Sequence, residues 1–457
     1  MHPSGASSSV PTLSPPVRRP RVARVPRHAH HATRGRSTER PPVLLTVASY
    51  YGTLAAVRCL GRAGVPVTVA DAEWLAPAQW SRFVTRRLRC PEVGRPERFI
   101  EWLLRFGERE PGHVLYPTSD DVAWLYSEYR DALSSSFRLF QPSAATLRLL
   151  LDKKELYAAC QAVGLGVPLT YFPESEADVE ALDREAKFPL LIKPATQVFR
   201  RGHVKGVTVH RREELLASYR SYTAANTYHP WLANRMPDAD RPMLQTFHPE
   251  AAQNIHSVAG FVDASGDGLV ALAATKVLQR PRTLGIGLCF EEAPLRPELT
   301  AALGALCRRV GYFGVFEAEF IETAEGCLLI DFNPRFYGQM LFEIDRGLRL
   351  PLLAYEAALG QNTALDEALA CDPAPQGRVY THRFILALMT RVQRLAGRMS
   401  REESELWRRW LEAHRGRITD AVVDRDDPLP PLMSVARSLY GYASHPRVTV
   451  RSMVLNK

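Results

Sequence analysis

The stretch Gly314–Arg335, GVFEAEFIETAEGCLLIDFNPR, gathers more potential chemistry than any other part of the 457-residue chain. Its apolar pattern predicts two strands, Val315–Glu322 and Cys327–Phe332, joined by a tight connection at Ala324-Glu325-Gly326. Pairing symmetric about residue 325 sets Glu319 against Asp331 and Glu317 against Asn333. Opposed residues on one face hold their Cβ atoms about 4.5–5.5 Å apart, so three carboxylates and an amide converge. Like charges that close repel and call for a cation. An all-oxygen set with room for water suits Mg2+ (or Mn2+) held jointly with phosphates. The plainer alternative is a solvated hairpin face ending in an Asn333-Pro334 turn. Against it, Val315, Phe316, Phe320, Leu328, Leu329 and Ile330 read as buried rather than edge-like.

Phosphate chemistry also needs cations. Lys193 ends the apolar strand FPLLIKP, where an unpaired charge is costly. Lys153 falls in the first turn of a helix capped by Asp152, the wrong end for a cation unless it reaches an anion. Its neighbour Lys154 fits a solvated position, and spacing does not separate the two. Lys276, Arg280 and Arg282 form a basic string, TKVLQRPRTLGIG, suited to clamp a triphosphate or a carboxylate, or else to line an exposed loop.

These groups need elements to position them. Val43–Ala48, Thr53–Ala63 and Pro66–Ala70 read as strand, helix and strand, a βαβ unit. An amphipathic helix at Glu97–Phe106 and a strand at His113–Tyr116, running into Pro117-Thr118-Ser119-Asp120-Asp121, extend it into a small parallel α/β domain. The turn Ser49-Tyr50-Tyr51-Gly52 lacks GxGxxG, which weakens any dinucleotide role. Beyond Pro168, short strands at Leu190–Lys193, Val204–Val209, Met243–Phe247, Ile255–Val262 and Leu269–Val277 alternate with helices at Arg212–Tyr222 and Pro297–Val310. That section is α+β and largely antiparallel. From about residue 370 the chain reads as a helical, Arg-rich extension.

Composition narrows the functions. Eight arginines against one acid in residues 1–42 place +7 of the formal +9 charge in a Pro/Ser/Arg/His-rich tail expected to be disordered. The nearly neutral remainder argues against nucleic-acid binding outside that tail. Seven scattered cysteines without CxxC suggest neither disulfides nor zinc, and reduced thiols imply the cytoplasm. The uncharged run Val43–Val57 is too short to span a bilayer comfortably and reads as strand, turn and helix.

The order Asp152-Lys153, Phe188–Pro194, Gln245-Thr246-Phe247, Glu319 and Asp331-Phe332-Asn333-Pro334-Arg335 resembles the ATP-grasp superfamily. The likeness is to its carbamoyl-phosphate-synthase and biotin-carboxylase branch, and more closely to predicted ATP-dependent carboxylate–amine ligases. It covers about residues 43–365. It implies a Rossmann-like α/β pre-ATP-grasp domain at 43–142 and an α+β ATP-grasp fold of two subdomains at 143–368. A mainly helical C-terminal extension would occupy 369–457. By resemblance, Lys153 and Lys193 contact ATP phosphates, and Gln245, Thr246 and Phe247 lie on the hinge strand whose backbone reads adenine. Glu319, Asp331, Asn333 and Glu317 hold the metal, and Arg335 stabilises the acyl-phosphate region. Lys276 and Arg280 resemble the family's basic motif near the γ-phosphate or the carboxylate. Departures are visible too. The usually Gly-rich phosphate-covering loop reads Ala195–His203 with one glycine and two arginines, Asp331 replaces a commoner glutamate, and Thr246 stands where an acid is frequent.

The implied reaction activates a small-molecule carboxylate as an acyl phosphate and transfers it to an amine, releasing ADP and phosphate. No protein nucleophile is required, which agrees with the lack of a Ser/His/Asp or Cys/His set. Alternatives are a phosphotransferase that stops at the phosphorylated product, and an idle ATP-binding or scaffold protein. The first domain and the extension are placed to shape the acceptor pocket or a homodimer interface.

Overall fold

A computed structural model of the protein describes residues 40–444, apart from 183–185, 203, 281–284 and 372–374. The expected tail up to residue 39, His203, Arg282 and residues 445–457 lie outside the described residues.

The N-terminal layer is a five-stranded parallel sheet of β1 (Val43–Thr46), β2 (Val67–Asp71), β3 (Arg86–Arg89), β4 (Val114–Leu115) and β5 (Arg138–Leu139), in the order β3-β2-β1-β4-β5. β1, β2 and β4 are buried along their lengths, as parallel strands covered on both faces must be. The expected βαβ unit is present, with the helix Tyr51–Arg62 linking β1 and β2. At the start of that helix a Cβ on Gly52 would lie 2.4 Å from the Tyr337 carbonyl oxygen, so only glycine admits the chain that follows the hairpin.

A four-stranded antiparallel sheet follows, made of β6 (Thr170–Tyr171), β7 (Leu190–Pro194), β8 (Val207–Val209) and β9 (Pro242–Thr246), in the order β6-β9-β7-β8. The third sheet has seven strands. They are β10 (Ile255–Val262), β11 (Leu269–Arg280), β12 (Ile286–Ala293), β13 (Gly314–Thr323), β14 (Gly326–Asn333), β15 (Val379–Thr381) and β16 (Ile418–Asp420), ordered β14-β13-β10-β11-β12-β15-β16. All its pairings are antiparallel except β15 with β16. One face of β13 buries Phe316, Ala318 and Phe320 under the helices Lys153–Gln161 and Pro297–Val310, which leaves the alternate residues to the opposite face.

Two expectations need correction. β14 is an edge strand, but the chain before β6 covers its edge, with the Leu329 N–H donating to the Gly166 carbonyl at 2.8 Å. The extension is helical at Arg383–Leu395, Arg401–Ala413 and Leu429–Ser444, yet it also contributes β15 and β16 to the large sheet. No helix among the described residues is long and apolar enough to cross a membrane.

Candidate functional site

The hairpin β13–β14 pairs Glu317 with Asn333 and Glu319 with Asp331, as the spacing predicts. The route to that register differs from the expected one. The turn is the two residues Ala324-Glu325, and a bulge at Ile330 then restores the offset, because Phe320 pairs with Leu329. The carbonyl of Ile330 accepts from Lys153 Nζ at 3.0 Å and from Tyr157 Oη at 3.3 Å. The bulge thereby joins the hairpin edge to the helix Lys153–Gln161.

Lys153, the first residue of that helix, donates to Asp331 Oδ1 at 2.7 Å and is buried. The anion its position demands is thus Asp331. Lys154 points away to Glu174 at 3.4 Å, on the surface, so of the two it is Lys153 that turns toward the hairpin. Burial alone would raise Asp331, but the Lys153 ammonium and its hydrogen bond, helped by Lys193 and Arg335, hold it down at about 2. Lys276 reaches diagonally from β11 across β10 to Glu319 Oε1 at 2.5 Å.

Glu317 is different. Its Oε1 accepts from Ser257 Oγ at 3.0 Å and from Gln339 Nε2, and its Oε2 from Asn333 Nδ2 at 3.1 Å. Burial and the neighbouring Glu319 charge push it up to about 8, against the pull of Lys276 and the Ser257 and Gln339 donors. The three carboxylates and the Asn333 amide thus share one face of the hairpin, as expected, but in different states. Among the described residues no three Asp, Glu, His or Cys side chains are grouped to hold a metal ion. Two ammoniums and the burial of Glu317 relieve the repulsion that the sequence assigned to a cation.

Asp331 and Glu319 still fit one. Each spends one oxygen on a lysine, Asp331 adding the Phe332 N–H, and among the described residues the second oxygen of each accepts no hydrogen bond. Two opposed carboxylates, each with one oxygen free of such bonds, make a hard-donor pair that suits Mg2+.

Lys193 and Gln245 lie diagonally across β7 and β9, where Lys193 Nζ donates to Gln245 Oε1 at 3.3 Å. Burial, with Lys153 nearby, pushes Lys193 down to about 7, while Asp331 and Glu319 pull the other way. The Gln245 amide donates in turn to Tyr157 Oη and Thr170 Oγ1 at 3.1 and 2.9 Å. The Thr246 and Phe247 N–H groups donate to the carbonyls of Leu169 and Pro189. Arg280 ends β11 opposite Ile286, and its charge acts on Tyr51.

Arg335 is gripped by the N-terminal layer. Asp120 takes its Nε at 2.6 Å and Nη2 at 3.2 Å, Asn333 Oδ1 takes Nη2 at 2.8 Å, and Tyr50 Oη takes Nη1 at 3.3 Å. The Phe336 N–H donates to the Pro117 carbonyl, and Tyr116 stacks on Phe336 with ring centroids 4.4 Å apart.

No family model matches the chain. A D-aspartate ligase of Enterococcus faecium is 23% identical over 325 residues, spanning 68% of this chain and 74% of that protein. Among solved structures, an L-amino acid ligase from Bacillus licheniformis superposes with a TM-score of 0.56 at 15% identity, over 75% of this chain and 79% of its own. A biotin carboxylase domain dimer from Hydrogenobacter thermophilus, in complex with MgADP, ADP and bicarbonate, gives 0.56 at 15% identity over 70% of each chain. The chain has the ATP-grasp fold.

Within this site, sequence reasoning overlooked Lys205, Asp120, Tyr50, Ser257 and Gln339. Desolvation of the Lys205 ammonium and the adjacent Lys276 lower its proton affinity, and Glu319 and Asp331 act on it in the opposite sense. A signal existed for two of the five. Lys205-Gly206 closes the loop opened by Lys193, and Asp120 follows Ser119, an N-cap just past the C-terminal end of β4, where α/β sheets place ligand-binding groups. Ser257 and Gln339 carry no local signal.

Proposed function

We propose that this protein is an ATP-dependent ligase of the ATP-grasp kind. It would activate a carboxylate as an acyl phosphate and pass the acyl group to an amine, releasing ADP and phosphate. One observation carries the reading. Lys153, Lys193, Lys205 and Lys276 surround the pair Asp331–Glu319, a net positive cleft built around two metal-competent oxygens. Such a cleft suits a polyphosphate, and the D-aspartate and L-amino acid ligases with which the chain shares similarity point to carboxylate and amine substrates.

In this reading Glu319, Asp331 and the Asn333 amide hold Mg2+, which neutralises phosphate charge when bound. Lys153 and Lys193 bind phosphate oxygens, and Lys276 and Lys205 face the transferring group. Gln245, Thr246 and Phe247 edge the adenine position. With both N–H groups of Thr246 and Phe247 engaged, that edge reads through the remaining backbone groups. Arg335, its plane fixed by Asp120, faces the charge that develops on the acyl phosphate, and Arg280 beside Tyr51 receives the acceptor end. Glu317 orients Asn333 through the bond to its amide nitrogen rather than acting as a ligand. We also assign residues 43–142 to a pre-ATP-grasp domain, 143–368 to the ATP-grasp domain and 369–457 to an extension beside them.

The test is ADP release by the full chain from ATP and Mg2+ with pooled carboxylates and amines, and Asp331→Asn as control. Acid-dependent release that disappears in the control is expected. Tight ATP binding with no release in broad pools would replace the ligase with an idle nucleotide-binding protein.

A further inference from the structure

Two adjacent aspartates, Asp120 and Asp121, open the helix Asp120–Glu128, and each holds a different partner. Ser119 caps the helix by accepting from the Val122 N–H, which fixes the first turn against the end of β4. From that turn Asp120 grips Arg335, while Asp121 Oδ1 accepts the Phe199 N–H at 2.7 Å. Phe199 belongs to the segment following β7, where the family's covering loop is usually rich in glycine.

That segment is docked. Phe199 adopts φ 49°, a left-handed conformation unfavourable for an aromatic residue, and it persists because its surroundings over-determine it. Its ring packs edge-on against Trp231 at 5.4 Å, and its carbonyl accepts the His229 N–H at 3.0 Å. Val198 and Phe199 are buried in one cluster with Leu44, Leu115 and Trp231. Upstream, the Tyr228 hydroxyl donates to the Thr196 carbonyl and the Lys153 N–H to the Ala195 carbonyl, both at 2.9 Å.

We propose that Asp121 is a positioning residue that pins the segment Ala195–Phe199 to the N-terminal layer and so fixes where Lys193 and Lys205 stand on either side of it. With Asp120 on Arg335, two neighbouring side chains of one helix turn set both ends of the reaction centre. The meaning of those two ends rests on the proposed function; the pin itself does not. A hydrogen bond to a buried charged group shifts an equilibrium roughly 10- to 100-fold when lost.

The test uses the full chain with Asp121→Ala, Asp121→Asn and Asp120→Ala. It reads amide hydrogen exchange and the binding of Mg2+ with AMP-PNP, a non-hydrolysable ATP analogue. In the wild type the Phe199 amide should exchange far more slowly than an exposed amide. Asp121→Ala should speed exchange in residues 195–202 roughly 10- to 100-fold and weaken the analogue about tenfold, with β10 and β13 unaffected. Asp121→Asn retains an acceptor oxygen and should restore both within about threefold, a rescue that loss of general packing does not predict. Asp120→Ala, which frees Arg335 instead, should leave exchange in 195–202 as in the wild type. Three results overturn the proposal. They are rapid exchange at Phe199 in the wild type, unchanged protection in Asp121→Ala, or equal damage from Asn and Ala. If Asp121→Ala does not fold, the wild-type amide and the Asn variant still decide. Failure of the wild type to bind the analogue would sink the functional reading, and the exchange measurements would still judge the pin.

Discussion

Asp331 and Glu317 stand on the two strands of one hairpin and share a sheet face, yet they sit at opposite ends of the carboxylate range, about 2 and about 8. Burial raises both. What separates them is the partner. Asp331 faces an ammonium at 2.7 Å, whereas Glu317 is met by a hydroxyl and two amides and stands beside another carboxylate. Here a full charge at contact offsets desolvation, whereas three dipoles beside a like charge do not. One corner is kept ionised and able to bind a metal, and the other becomes a structural acid.

The strongest way to break this contrast is Asp331→Asn. The side chain is about the same size, so folding should survive, with stability changing by about 1–2 kcal/mol. Turnover should fall at least about 1000-fold, checked by ADP release against thermal unfolding of the same sample. Activity near the wild-type level would mean that Asp331 holds no metal.

Lys153→Met removes the charge that distinguishes the two corners. Nucleotide affinity should drop roughly 10- to 100-fold, measured by titration with the analogue. Stability should respond to acid as well. Asp331 has its folded-state pKa depressed, so the stability it contributes is fully present above about pH 4 and lost as pH falls through about 2. Lys153→Met should lack that loss. A variant with the wild-type acid limb would show that Lys153 does not hold Asp331 down.

The two corners were not equally legible in the sequence. The pairs Glu319–Asp331 and Glu317–Asn333 were predicted correctly, but because two shifts cancel, a shorter turn and the bulge at Ile330. Period-two alternation places residues on a face and is blind to such pairs of errors. Lys153 was legible because a cation at a helix start demands an anion. The partners of Glu317 were not, since Ser257 and Gln339 come from distant strands and loops and look like ordinary polar residues. At the level of fold, strands Ile255–Val262 and the helix Pro297–Val310 were read to the residue from strong apolar patterns. β12 was missed because its Glu291 and Glu292 break the apolar run. β15 and β16, three residues each, are too short to carry a period. The interlock of Asp120, Tyr50 and Gly52 with residues 335–337 joins segments more than 200 positions apart, and one sequence holds no record of it.

Lys193 sharpens the contrast from the cationic side. Among the described residues it has Gln245 for a partner and no carboxylate at contact, and burial pushes it down to about 7. Above that pH it is largely neutral, while a bound triphosphate favours the ammonium. Analogue binding at pH 8.5 should therefore take up about one proton, and Lys193→Met should abolish the uptake. Calorimetry in buffers of different ionisation enthalpy measures this directly. Uptake that survives in the variant would assign the proton elsewhere.

Glu317→Gln is the mildest change and the most discriminating. A carboxyl that titrates at about 8 is mostly protonated at pH 7, and glutamine copies its shape. Turnover should fall by less than about tenfold, because the Asn333 amide still finds an acceptor oxygen. The pH profile carries the sharper sign. A folded-state pKa raised from about 4.3 means that the folded chain holds the extra proton between about pH 4.3 and 8. Wild-type stability should therefore decline as pH rises through that window, and the glutamine variant should lack the decline. By pH 9 the variant should gain roughly 1–3 kcal/mol on the wild type, read from denaturant midpoints at pH 5, 7 and 9. A collapse of turnover equal to that of Asp331→Asn would place Glu317 among the metal ligands and erase the difference between the corners. Parallel stability profiles would show instead that Ser257, Gln339 and Asn333 keep it ionised, and dipoles would then suffice where a charge had been thought necessary.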